Sequence, residues 1–310
     1  MYVAELSVRL ALLIFSGFLA GKLRIVSEDS QKGLMKLLMN ITLPCLIFAS
    51  FAAESAPEDF FTFGAVALAA VIALGLSILL GHVVYVLMGR SDMGAAAKIC
   101  ITFGNVTFFG IPVVEALYGG LTLMYYNIFA AIIRMTNYAF IAPLLGSKAP
   151  EMTRREKLKK YFSPQLVALF LGLAFSFSPL ALPTPVLQAV SSLGAMTSPL
   201  GMLIIGAMLS RARFSDVRRM PVAFLITALR LVIMPAAALG LMLLLGVQET
   251  TFRIVMLFIA TPVATLLPTY IMHFRPNPDA ELLAGVSICL TSVLCVLTIP
   301  AWVMIMERLL

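Results

Sequence analysis

The chain has 310 residues, of which 61% are hydrophobic and 12% charged, with a mean hydropathy of +1.02. A soluble domain carries about 25% charged residues, so this composition excludes a water-soluble globular fold and indicates an all-α polytopic membrane protein. The net charge of +7 is explained by basic loops facing anionic lipid and calls for no nucleic-acid partner.

Ten apolar segments follow one another. The first runs from Val3 to Ala20 and carries Glu5 and Arg9; it lacks a positive leader or cleavage site and is read as a span rather than a signal peptide. Leu34 to Ala53, Thr62 to Met88, Ala95 to Tyr118 and Leu121 to Leu145 complete a first half, residues 1–145. Residues 146–163 form a cytoplasmic linker, whose Met152–Lys160 stretch is a short basic segment. The second half, 164–310, gives Pro164 to Leu180, Val186 to Leu209, Met220 to Leu245, Ile254 to Phe274 and Leu282 to Met306. A proline-rich turn over Ser178–Pro185 separates the sixth and seventh segments. Residues 161–210 contain no Asp, Glu, Lys or Arg.

Loop charge tests this count. With both termini outside, the inner loops carry 17 basic residues, from Lys22 to Arg275, and the outer side carries Arg253 and Arg308. Arg9, Arg134 and Arg230 fall inside spans. That asymmetry fits ten spans in a multi-pass membrane protein with both termini outside.

Prolines reveal a repeat. Pro44 and Pro112 are 68 residues apart, and Pro199 and Pro268 are 69 apart. Five spans per half invert the second half relative to the first, giving two inverted five-helix repeats. Paired interruptions at matching positions point to the binding site of a secondary transporter. Overlaying the halves sets Gly104, Asn105, Val106, Thr107, Gly110 and Pro112 against Ala260, Thr261, Pro262, Thr265 and Pro268. Proline removes a backbone donor and crowds the preceding turn, which predicts broken helices in spans four and nine, with Asn and Thr side chains replacing lost partners. If the breaks cross, half-helix N-termini converge there and favour a carboxylate.

Charges inside the spans are few. Arg134, with Asn137 one turn on, reads either as a counter-ion for an anionic substrate or as a structural or snorkelling residue. Arg230 reads as structural. Glu115 is the candidate for proton coupling, against the plainer reading of a wetted outer-end carboxylate. All five aspartates lie in loops, which argues against a paired-aspartate antiporter. Cys45, Cys100, Cys289 and Cys295 lack CxxC spacing, and His82 and His273 lack companions, so neither a metal nor another cofactor is expected. There is no Gly-x-x-x-x-Gly-Lys-Ser/Thr loop for ATP. Without a catalytic cluster or room for an output domain, an intramembrane enzyme or a sensor is a distant alternative.

The segments Asn40-Ile-Thr-Leu-Pro44, Gly104-Asn105 through Gly110-Ile-Pro112, Ser198-Pro199 through Leu209, and Ala260-Thr-Pro262 through Pro268, in that order, resemble the auxin efflux carrier family, within the group that includes the bile acid/sodium symporters. The resemblance implies a scaffold of spans one, two, six and seven, containing Asn40, Pro44 and Pro199 and often dimeric. Spans three to five and eight to ten would form a transport domain that moves as an elevator. It also implies that Asn105 lies at the substrate carboxylate and that the cargo is a small organic anion such as malate or malonate, with sodium-coupled symport as the alternative. The chain lacks the long hydrophilic central segment of plant members and any Gln-Gly in the ninth-span break, which argues against auxin itself.

Overall fold

The computed structural model describes residues 2–52, 60–146, 163–178, 182–212 and 214–310. The basic Met152–Lys160 segment and the side chain of Asn137 lie outside the described residues. The chain is almost wholly helical: α1 (Tyr2–Lys22), α2 (Glu28–Leu37), α3 (Leu43–Ala52), α4 (Phe60–Leu87), α5 (Asp92–Thr102), α6 (Ile111–Leu117) and α7 (Gly120–Leu144) come from the first half. The second half gives α8 (Pro164–Ser176), α9 (Thr184–Ala195), α10 (Thr197–Leu209), α11 (Phe214–Arg219), α12 (Val222–Ala228), α13 (Met234–Leu245), α14 (Glu249–Ile259), α15 (Leu267–Phe274) and α16 (Pro278–Glu307).

Among the described residues, five helical stretches are long and apolar enough to cross a membrane: Glu28–Ala52, Phe61–Leu87, Thr184–Leu209, Val222–Leu245 and Pro278–Glu307. Their outer faces are greasy. α4 exposes Leu68, Val71, Leu79 and Leu87, a surface that water would penalise and lipid solvates. Helix starts are set by local chemistry. Ser27, Ser91, Ser163 and Asn277 each accept a backbone N–H of the first turn of α2, α5, α8 and α16, supplying partners that the helix itself lacks there.

In the two spans predicted to be broken, the rings of Pro112 and Pro268 sit at the start of a helix rather than in the interruption. Pro44, Pro112 and Pro235 are the second residues of α3, α6 and α13, and each follows a π-helical turn: Leu38–Thr42, Val106–Gly110 and Leu229–Ile233. The ring excludes the carbonyl four residues back, so the preceding turn widens. Two of these widened turns have a carbonyl taken by a side chain from elsewhere in the fold. Gln165 Nε2 donates to Met39 O, and Trp302 Nε1 donates to Leu231 O at 2.8 Å.

Packing is reciprocal between halves. α1 lies along α10, and α8 lies along α3. The first of these contacts is backbone-close: a Cβ on Gly17 would lie 2.2 Å from Leu203 O, and one on Gly206 would lie 2.0 Å from Ile14 O. Small residues permit this approach where water supplies no drive for association. A second group forms around α4, α5, α7, α12, α14, α15 and α16.

Ion pairs clamp the second group at the basic-loop end. Arg275 Nε donates to Asp92 Oδ1 at 2.7 Å and its Nη1 to Leu145 O at 2.8 Å, while Asn277 Nδ2 donates to Asp92 Oδ2 at 2.9 Å. Hydrogen bonds from Asn277 and Arg275, with the charge of Arg275, hold the Asp92 carboxyl below its usual range. A depressed carboxyl stabilises the fold above its unfolded pKa of about 4 and loses that contribution as pH falls through its folded value. Asp92→Asn should therefore lower the melting temperature at pH 7 and flatten its fall below about pH 4. Thermal unfolding across pH checks this.

Candidate functional site

α5 ends at Thr102, Phe103 is extended, and helix resumes at Val106. α14 ends at Ile259, and helix resumes at Leu267. The two intervening stretches lie side by side. Gly104 and Val263 form an antiparallel bridge, Asn105 N–H donates to Pro262 O at 2.8 Å, and Ala264 N–H donates to Phe103 O at 3.1 Å. Val263 N–H donates to Thr291 Oγ1 of α16 at 3.1 Å. Backbone released from helical bonding thus finds partners without water, as an apolar surrounding demands.

Arg230 sits behind this junction. It is 0% exposed. Its Nη1 donates to Ile101 O at 2.7 Å, its Nε to Thr261 O at 3.1 Å and its Nη2 to Thr261 Oγ1 at 3.4 Å. The guanidinium therefore caps the C-terminal ends of α5 and α14 together. Each end carries a partial charge of roughly −0.5, so the pair offsets about one positive charge. The structural reading of Arg230 holds, and its partners are carbonyls and a hydroxyl.

On the other side of the junction is a cleft of about 80 Å³ lined by Met39, Asn105, Thr107, Arg134, Thr265 and Tyr270, among others. A water needs about 10–15 Å³ by this measure, so the cleft suits a small solute. Asn105 is 3% exposed. Its Oδ1 accepts Phe108 N–H at 3.0 Å, which fixes the amide's orientation. Its Nδ2 is buried without a hydrogen-bond partner, a state that costs about 1–3 kcal/mol unless something binds it. Arg134 brings a positive charge to the same cleft, and among the described residues none that lines it is acidic.

The membrane transport protein family matches residues 2–157 and 148–303 of this chain. The chain belongs to that family, the auxin efflux carriers. An uncharacterized transporter of Methanothermobacter thermautotrophicus is 23% identical over 302 residues, 94% of each chain.

Within this transporter the residues singled out from sequence divide into three sets. Gly104, Asn105, Val106, Thr107, Thr265 and Arg134 line the cleft. Thr261 and Pro262 build the junction behind it through Arg230 and the Asn105 N–H. Gly110 packs against the Tyr126 hydroxyl, Pro112 is buried in α6, and Pro268 borders a separate cavity of about 230 Å³ between α10, α15 and α16. Glu115, Asn40, Pro44 and Pro199 stand apart from the cleft. Glu115 accepts from Ser198 Oγ, and Asn40 Nδ2 donates to Lys36 O at 2.8 Å.

Sequence reasoning missed Met39, Phe108, Ile141 and Tyr270 in the lining, because apolar residues in an apolar chain carry no distinguishing signal. It also missed Thr291, a hydroxyl at the middle of α16 that pairs with a break in α14–α15. The signal there was a Ser and Thr stripe, Ser287 and Thr291, inside an otherwise greasy helix.

A methyl group on Gly104 would lie 1.9 Å from Arg230 Nη2 and 2.4 Å from Thr261 Oγ1. Gly104→Ala should destabilise the protein by about 1–3 kcal/mol, as overpacking does. Gly285, inside α16 with nothing within 4 Å, supplies the control: Gly285→Ala should not lower the melting temperature, since alanine is the better helix former.

Proposed function

We propose that this transporter is a secondary carrier of a small organic anion, whose carboxylate is held by Asn105 Nδ2 and the Arg134 guanidinium. The unpartnered Nδ2 in a cleft with one cation carries this reading. A buried donor and a positive charge in a low-dielectric surrounding favour a carboxylate and disfavour a cation. The starts of α6 with its π-helical turn and of α15 add partial positive charge at the same place.

The working arrangement is ten spans with both termini outside, in a bacterial cytoplasmic membrane. Spans four and nine are the interrupted pairs α5–α6 and α14–α15. α1, α2–α3, α8 and α9–α10 act as the scaffold, through which two copies pair. α4–α7 and α12–α16 act as the transport domain, sliding as an elevator. Met39, Ile141 and Tyr270 line the cleft near the helix ends that lead to the basic loops, which supports reading this state as inward-open.

Uptake of labelled malonate or malate into proteoliposomes tests the assignment. Asn105→Ala and Arg134→Gln should each lower uptake about tenfold or more, the loss expected for one hydrogen bond to a charged group. Undiminished uptake by well-folded variants overturns it. Replacing sodium by potassium separates the coupling ions: unchanged uptake removes sodium symport.

A further inference from the structure

Two hydrogen-bonded pairs of polar side chains cross between the two groups of helices. Asn127 on α7 donates from Nδ2 to Ser50 Oγ on α3 at 3.0 Å, and both residues are buried. Ser198 Oγ on α10 donates to Glu115 Oε2 on α6. Each bond joins a helix of the scaffold group to one of the transport group.

Their depth is informative. Ser50 stands two residues before the end of α3, Glu115 two before the end of α6, and Asn127 within two turns of the start of α7. Ser50, Glu115 and Asn127 thus lie towards the helix ends remote from the basic loops, while Ser198, the partner of Glu115, lies near the middle of the apolar stretch Thr184–Leu209. The open spaces lie at the opposite end. The cleft reaches Met39, Ile141 and Tyr270. The cavity of about 230 Å³ reaches Met208, Ala212 and Leu282 beside the Arg211 loop. The interface between the groups is bonded in its outer part and hollow in its inner part.

We propose that Asn127–Ser50 and Ser198–Glu115 are paired outer latches, which hold the transporter inward-open and must part before the cleft can reach the outside. The inference rests on the division into scaffold and transport groups given under the proposed function. A hydrogen bond fails once donor and acceptor separate beyond about 3.5 Å, so a slide of even one helical turn breaks both. A bond made in one state alone biases the equilibrium towards that state by its own free energy. Removing one latch therefore raises the outward population without touching the cleft.

The test reads conformation, independent of cargo. Thr197 is 1% exposed and adjoins Ser198, so Thr197→Cys is a reporter that leaves both latches intact. It is placed in a background with the partly exposed Cys45 and Cys289 changed to alanine. Adding Ser50→Ala should raise its modification rate by an impermeant maleimide from the outside about threefold or more, the effect of one net hydrogen bond. An unchanged or slower rate overturns the latch. In a second arm, Ser50→Cys with Asn127→Cys is oxidised in proteoliposomes; uptake should fall to background and return on reduction, and full uptake by the cross-linked protein overturns the proposal. Labelling that responds while no carboxylate is carried leaves the latch standing and removes the anion reading.

Discussion

One buried guanidinium holds two helix ends together, and the site depends on it. Arg230 donates to the last turn of α5 and to the end of α14. A cation at this depth in a bilayer costs several kcal/mol unless partners compensate it. Two helix C-termini compensate it at the cost of interrupting two helices. The interruption in turn leaves Gly104, Asn105, Pro262 and Val263 to pair with each other as a short antiparallel bridge. Gly104 is required there because Arg230 Nη2 occupies the space of a side chain.

Two further arginines extend the same logic to both ends of the group. Arg275 ties α5 to the α15–α16 turn and to the end of α7. At the opposite end, Arg253 Nε and Nη2 donate to Glu307 at 3.0 Å each, while the Tyr118 hydroxyl donates to Glu307 Oε1 at 2.7 Å. The interrupted α5–α6 and α14–α15 are thus fixed at three depths to each other and to α16. Interrupted helices are weak elements by themselves, since each half has too few internal bonds to stand alone. Cross-ties let them act as one body, with the Asn105 amide held in place within it by its bond to Phe108 N–H.

The π-helical turns show a related economy. Proline widens the turn ahead of it, and the polar groups this releases have no water to turn to. Gln165 reaches back to the turn at Leu38–Thr42, and Trp302 to the turn at Leu229–Ile233. Bends that position the helices around the cleft are stabilised by side chains distant in sequence. That is why the fold tolerates so many prolines inside apolar stretches.

Much of this was legible in the residues alone. Solvent, class and family followed from composition, loop charge and the order of proline-bearing segments, because a bilayer imposes one-dimensional rules on length and charge. Asn105 and Thr265 were identifiable as polar side chains beside helix breakers, and Arg134 as a charge at depth. The rest required three dimensions. No local pattern distinguishes Arg134, which lines the cleft, from Arg230, which faces two carbonyl ends behind it; both are arginines in apolar runs. Nor does sequence say that Glu115 meets Ser198 rather than the cleft, or that Met39 and Tyr270 close its sides. Sequence by itself determined that the chain is a helical membrane protein of a transporter family, since those properties depend on composition and on neighbours along the chain. That Arg134 lines the cleft while Arg230 holds two helix ends together was decided by the tertiary structure, because a buried charge takes its meaning from the groups packed around it, and for Arg230 these include Ile101, more than a hundred residues away.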